Sequence, residues 1–162
     1  MRQSCLPPGR GWYLSSIGPE TRLSKGRDVN QRAGQYTKEA VGKVVLRDGL
    51  ELAYSDVGQG PALCLVHGFT GSRDAWGRGL IQTLSESRRV VAVDLIGHVS
   101  SSVPAHHQRC RIEEIVADLI ELFSALDLEE VDVVGYSMGA RVSLAAAALA
   151  PTRIRRLVLQ IP

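Results

Sequence analysis

One stretch of this chain has residue types and spacing suited to covalent chemistry. Gly135-Tyr136-Ser137-Met138-Gly139 stands between the apolar run Val131-Asp132-Val133-Val134 and an alanine-rich segment. Valine before the match favours a buried strand and alanine after it favours a helix, which puts Ser137 at the tip of a sharp strand-to-helix turn. Such a turn offers a hydroxyl on a strained backbone, with glycines that let strand and helix pass closely. The five-residue pattern alone arises by chance in about one chain in twenty of this length, so the flanking strand and helix decide for the sharp turn over a plain connection. A free serine hydroxyl is a weak nucleophile and a poor base at neutral pH, and any reaction at Ser137 needs a neighbouring base. Arg141 follows by one helical turn and can share a face with Ser137. There a guanidinium can bind a carboxylate through two hydrogen bonds, or form an ordinary surface ion pair.

The elements that position Ser137 follow from periodicity. Val44 to Leu46, the turn Asp48-Gly49 and the alternating residues Leu50 to Tyr54 predict an antiparallel hairpin. Ala62 to Val66 and Val90 to Asp94 are continuous apolar runs, as expected of strands buried on both faces. Between them, Ser72 or Asp74 can cap a helix carrying Trp76, Leu80, Ile81 and Leu84. Residues 95–111 read as a long polar loop, with His98, His106 and His107 in solvent. From Ile112, the positions Ile115, Val116, Leu119, Ile120, Leu122, Phe123 and Leu126 mark one face of a helix, with Glu113, Glu114, Asp118 and Glu121 largely on the other. A helix after Ser137, closed by Pro151, leads to a last strand at Leu157 to Leu159. Alternating strands and helices imply α/β architecture with right-handed crossovers and a mostly parallel sheet. Active sites in such sheets lie at the carboxyl ends of strands, where His67, Asp94 and Ser137 all fall.

Composition narrows the functional classes. The chain has 162 residues, 44% of them apolar and 22% charged, with a net charge of +2, which is ordinary globular composition with no argument for nucleic acid. The excess is local to residues 1–40, rich in Gly, Pro, Ser, Arg and Gln without periodicity, which are expected to be a disordered basic extension; an organelle transit peptide is a second reading of them. Residues 41–162 are expected to form the folded part. Cys5, Cys64 and Cys110 share no metal-ligand spacing, so neither a disulfide framework nor a zinc site is indicated, and a reducing cytoplasm is the default location. There is no apolar run long enough to cross a bilayer, hence no membrane partner is expected. No G-x-G-x-x-G phosphate loop occurs, Gly58-Gln59-Gly60-Pro61 reads as a turn, and no cofactor is expected.

From about Val44 onward the sequence resembles the α/β-hydrolase fold over its first six strands. The resemblance rests on His67-Gly68-Phe69, Asp94-Leu95-Ile96-Gly97-His98 and the Ser137 turn, in that order. Within the superfamily the sequence is most similar to the 2-succinyl-6-hydroxy-2,4-cyclohexadiene-1-carboxylate synthases of menaquinone biosynthesis, through His67 to Ser72, Trp76, the Ser137 motif and Arg141. These enzymes remove pyruvate from a substrate with several carboxylates. The chain departs from their pattern at Ala140 and Val99, where glycine is usual, and at Ile96, where proline is common; a glycine at position 99 would help its loop to turn. The resemblance implies Ser137 as nucleophile or base, the N–H groups of Phe69 and Met138 as an oxyanion hole, and Arg141 and His67 at the substrate. His67 has a second reading, as the residue that shapes the oxyanion loop, and Asp94 is expected to order its own loop.

In this fold the triad partners follow the serine as acid and then histidine, and residues 138–162 contain no Asp, Glu or His. The expectation is therefore the N-terminal part of a larger domain, a truncated product whose sheet stops at about the sixth strand. Three functions stay open: a synthase-like enzyme eliminating pyruvate, a hydrolase of carboxylic esters, and an inactive fragment or interaction module. The first two take a small-molecule carboxylate or ester as substrate.

Overall fold

The computed structural model describes residues 39–161, so the extension expected over residues 1–40 lies almost wholly outside the described residues. The chain forms one six-stranded sheet: β1 (Ala40–Val45), β2 (Glu51–Val57), β3 (Ala62–Val66), β4 (Arg89–Asp94), β5 (Val131–Tyr136) and β6 (Ile154–Gln160). Their spatial order is β1-β2-β4-β3-β5-β6. The hairpin joins antiparallel to β4, and β4, β3, β5 and β6 run parallel to one another. This is the expected α/β sheet, mostly parallel, with six strands. β6 is an edge strand whose Val158 is exposed.

Three helices cover the sheet: α1 (Arg78–Ser85), α2 (Ile112–Ala125) and α3 (Met138–Leu149). Alternation along the strands explains which helix packs where. Cys64, Val66, Val91, Val93 and Val133 point to one face and pack with α2 and α3 through Leu119, Phe123, Val142 and Ala146. Leu63, Leu65, Val90 and Ala92 point to the other and meet Trp76, Ile81 and Leu84. Residues i and i+2 of a strand share a face, so a run apolar at every position needs helices on both sides. Cys64 is free, and burial pushes its thiol up to about 12, which makes it a core residue rather than a reactive one. Cys110 is engaged in an interaction. Among the described residues, no helix is long and apolar enough to cross a membrane.

Two expectations about the helices need correction. The first helix is split: Arg73–Trp76 is a 3-10 turn capped by Ser72, whose Oγ accepts from the Asp74 N–H, and α1 begins only after Gly77. Gly77 takes φ 72°, a left-handed conformation that stops the helix. Trp76 thus sits in the turn, and Leu80 is exposed. The second concerns Asp118, which is buried although its neighbours in sequence place it with the acidic face. The Arg109 guanidinium donates to both of its oxygens, at 2.6 and 2.9 Å, and Arg47 adds a bond at 3.3 Å. Arg47 and Arg109 also bind Glu114, Glu121 and Asp48, tying the β1–β2 turn to α2.

A second buried acid, Asp132 on β5, is held by Arg88 at 2.5 Å and by Arg155 at 2.9 and 2.8 Å. Arg155 and Arg88 together hold its carboxyl down at about 2 against an ordinary 3.8. A depressed carboxylate contributes stability that is present above its unfolded value and disappears as pH falls through the folded one. Acid unfolding is accordingly expected to steepen between pH 3.8 and about 2. In Asp132→Asn this part of the pH dependence should be absent while the remainder is retained, as followed by circular dichroism during acid titration.

Candidate active site

Ser137 joins β5 to α3 with φ 52° and ψ −110°. A non-glycine residue in that region is strained and persists only where its surroundings over-determine it. The surroundings here do so. The Ser137 N–H donates to the Gln160 carbonyl at 2.8 Å, and the Ser137 carbonyl accepts from the N–H groups of Ala140 and Arg141. One side of the turn is therefore tied to β6 and the other to the first turn of α3. The two motif glycines supply the clearance. A Cβ on Gly135 would lie 2.5 Å from both the Gly139 carbonyl oxygen and Ser143 Oγ, and one on Gly139 would collide with the backbone oxygens of Val66 and His67. Ser137 and Met138 are both half-buried. Met138 opens α3, so its N–H belongs to the first turn of donors that lack a partner within the helix.

The loop after β3 lies against this turn, since a Cβ added to Gly68 would stand 3.3 Å from Ser137 Cβ. Its backbone is fixed through the Gly68 carbonyl, which accepts from His67 Nδ1 at 2.7 Å and from the Gly71 N–H at 2.9 Å. Across a trans peptide the next N–H points the opposite way, so these bonds also fix the direction of the Phe69 N–H. His67 is buried, and its Nε2 accepts from the Leu95 N–H at 3.1 Å. With Nδ1 donating and Nε2 accepting, the ring is a neutral imidazole, and burial pushes it below the usual histidine value.

The loop after β4 is the second wall, and it is neither polar nor solvated where it leaves the strand. Leu95, Ile96 and His98 are buried, a correction to the expectation that His98 lies in solvent; His106 and His107 are exposed as expected. Asp94, fully buried, accepts from the Arg73 N–H at 2.8 Å, the Arg73 guanidinium at 3.2 Å and the Ser100 N–H at 3.3 Å. It thereby joins the loops after β3 and β4. Ser101 and Ser102 tie this loop to β2, their hydroxyls accepting from the N–H groups of Ala53 and Glu51.

Val99 in this loop takes φ 35° and is 75% exposed. A β-branched residue at positive φ is an outlier, and its exposed side chain gains no burial in return. Val99→Gly is expected to stabilise the protein by about 1 kcal/mol, the relief of strain exceeding the extra chain entropy of glycine. Thermal unfolding should show a rise in Tm of a few degrees; a lower Tm would mean that Val99 makes contacts worth more than its strain.

The structure brings Ser137, Met138 and the Gly68–Phe69 peptide together at the carboxyl ends of β5 and β3, where the connection from β3 to β4 and that from β5 to β6 leave in opposite directions across the sheet. His67 lies directly behind them with both nitrogens occupied. Arg141 is exposed in the first turn of α3, with no ion pair among the described residues. No group of three or more His, Cys, Asp or Glu capable of holding a metal occurs among the described residues. A shallow cavity of about 300 Å³ lined by Phe123, Asp127, Leu128 and Arg153 lies at the other end of β5, away from Ser137.

Sequence and structure comparisons show the fold family. A family model described as alpha/beta hydrolase fold matches residues 61–162. The chain is 41% identical over 121 residues to 2-hydroxy-6-oxo-2,4-heptadienoate hydrolase of Pseudomonas putida, covering 74% of this chain and 44% of that protein. It is 33% identical over 119 residues to the putative 2-succinyl-6-hydroxy-2,4-cyclohexadiene-1-carboxylate synthase of Bacillus subtilis, covering 72% and 43%. Among solved structures, a hydrolase from Pseudomonas aeruginosa matches with a TM-score of 0.68 at 32% identity, over 74% of this chain and 44% of the other. An epoxide hydrolase from Vigna radiata matches with a TM-score of 0.71 at 25% identity, over 75% and 38%. The chain spans less than half the length of these relatives.

Proposed function

Because this chain belongs to the α/β-hydrolase fold family, we propose that Ser137 is the nucleophile of a hydrolase acting on a small molecule that carries a carboxylate. The observation that carries this reading is the strained backbone of Ser137, at φ 52° and ψ −110°, facing the Gly68–Phe69 peptide. A base takes the proton of Ser137 Oγ as the oxygen attacks a substrate carbonyl. The negative oxygen that forms accepts from the N–H groups of Phe69 and Met138. Collapse expels the leaving group, which takes up the proton, and water then releases the acyl group from Ser137. His67, buried and fully hydrogen-bonded, shapes the loop that presents the Phe69 N–H.

The likeness to an epoxide hydrolase does not extend to that chemistry. Serine opening an epoxide would form an alkyl ether, which water does not cleave at neutral pH, whereas serine attacking a carbonyl forms an ester, which it does. Arg141 is the residue proposed to bind the substrate carboxylate, and its freedom from ion pairs among the described residues supports this over the surface-pair reading. The names of the hydrolase and the synthase among the relatives both specify carboxylate compounds, which also supports a carboxylate ligand.

A second reading, elimination of pyruvate with Ser137 as the base, is favoured by the identity to the synthase. Steady-state assays on a protein that carries this chain together with a base in reach of Ser137 Oγ separate the two. Under the first reading, carboxylate-bearing keto acids or esters are hydrolysed, and Arg141→Ala raises KM about tenfold or more with a smaller change in kcat, the scale of a lost charge-assisted pair. Pyruvate release without hydrolysis would establish the second reading, and an unchanged KM in Arg141→Ala would remove Arg141 from the site.

A further inference from the structure

His98 has no part in the proposed reaction, yet it is buried beside the loop that carries the proposed oxyanion donor. Its Nε2 lies 2.6 Å from the Phe69 carbonyl oxygen and its Nδ1 lies 3.3 Å from that of Ile96. A carbonyl only accepts, and a neutral imidazole has one N–H. The shorter contact takes the proton, so Nε2–H donates to Phe69. The ring also packs edge-on against His67, with centroids 4.8 Å apart, and against the Phe69 ring at 6.3 Å.

These contacts place Phe69 between two imidazoles. His67 holds the peptide before it, through the Gly68 carbonyl, and His98 holds the peptide after it, through the Phe69 carbonyl. His67 in turn accepts from Leu95, on the same loop as His98. We propose that His98 is a positioning residue for Phe69, clamping the oxyanion loop to the loop after β4 so that the Phe69 N–H keeps its direction toward the Ser137 turn. The inference rests on reading Phe69 as an oxyanion donor. The strain at Val99 fits this role: a residue at φ 35° beside His98 needs neighbouring bonds to hold it there. The loop supplies them, with the His98 N–H donating to Leu95 and the His98 carbonyl accepting from Ser101.

The test is nuclear magnetic resonance on the full chain and on His98→Gln and His98→Leu. In the unsubstituted protein, His98 is expected to carry its proton on Nε2, with scalar coupling across the hydrogen bond to the Phe69 carbonyl carbon. Exchange of the Gly71 amide, which donates to Gly68 O within the same turn, reports on the loop. His98→Leu should speed that exchange about tenfold, the scale of one buried hydrogen bond, while the Val91 and Val133 amides of the central strands keep theirs. His98→Gln, which retains a donor, should restore Gly71 protection.

A proton on Nδ1 with no coupling to Phe69, or an unchanged Gly71 rate in His98→Leu, overturns the proposal. Should the leucine variant not fold, the coupling and the glutamine variant decide. If the intact enzyme fails to hydrolyse its candidate substrates while the coupling and the Gly71 response are as stated, the reading of Ser137 falls and the His98 tether stands.

Discussion

Replacing Gly139 with alanine is expected to destabilise the fold by about 3 kcal/mol or more, a large share of the stability of a domain this size. The reason is the identity of the atoms that a methyl group would meet. The added Cβ would collide with the carbonyl oxygens of Val66 and His67, and these belong to backbone rather than to side chains that can rotate away. Val66 pairs with both β4 and β5 at the centre of the sheet, so moving it disturbs two ladders, and His67 begins the loop on which Phe69 is held. Overpacking where neighbours can yield costs about 1–3 kcal/mol; here they cannot. Gly79, within α1, has nothing within 4 Å of an added Cβ, and Gly79→Ala should be neutral or stabilising by up to about 1 kcal/mol. Denaturant unfolding of the two variants makes the comparison directly. Equal midpoints would show that α3 shifts away from β3 at little cost.

The contrast between those two glycines shows what a sequence makes legible. The Ser137 turn is local: an apolar strand, a Gly-x-Ser-x-Gly turn and a helix follow one another, and the clashes awaiting a Cβ on Gly135 or Gly139 are what the glycines anticipate. The strands are local in the same sense, because a run buried at every position implies cover on both faces, and α1 lies on one while α2 and α3 lie on the other. Val99 was legible as a departure from a glycine position, and its positive φ bears that out.

Other features depend on chain segments far apart. Asp118 shares the helical sequence of Glu113, Glu114 and Glu121, but its burial is decided by Arg109, nine residues before it, and by Arg47, 71 residues before it. A helical wheel contains neither. His98 is buried because the loop after β4 folds onto Phe69, 29 residues earlier, and no period of 2 or 3.6 registers such a contact. The split of the first helix was nearer to view, since Gly77 is the residue that takes positive φ; the apolar spacing of Trp76 and Leu80 across it masked the break.

The same long-range contacts bear on reactivity. The 162-residue chain by itself is expected not to react with a serine-directed fluorophosphonate, although its Ser137 turn is fully formed. Residues 138–162 contain no Asp, Glu or His, so any base must come from earlier in this chain or from elsewhere. The two histidines near the turn are already occupied: His67 donates to Gly68 and accepts from Leu95, and His98 donates to Phe69. Drawing either into service would break the bonds that hold the loop carrying the proposed Phe69 oxyanion donor, so that the group gained as a base would be lost to the positioning of that loop. His106 and His107 are exposed beyond the loop, around a 3-10 turn that leads to α2. Without a base the serine stays protonated, and the proposed oxyanion donors alone would leave only a small part of the rate that a complete serine site provides. Incubation with the probe followed by intact-mass measurement should show the unmodified chain, indistinguishable from Ser137→Ala. In an intact enzyme with a base in reach of Oγ, the same substitution should lower turnover at least a thousandfold. Stoichiometric labelling of the chain at Ser137 would mean that a group earlier in this chain reaches Oγ as its base, and if that group were His67 or His98 it would have to leave the bonds that hold the loop after β3.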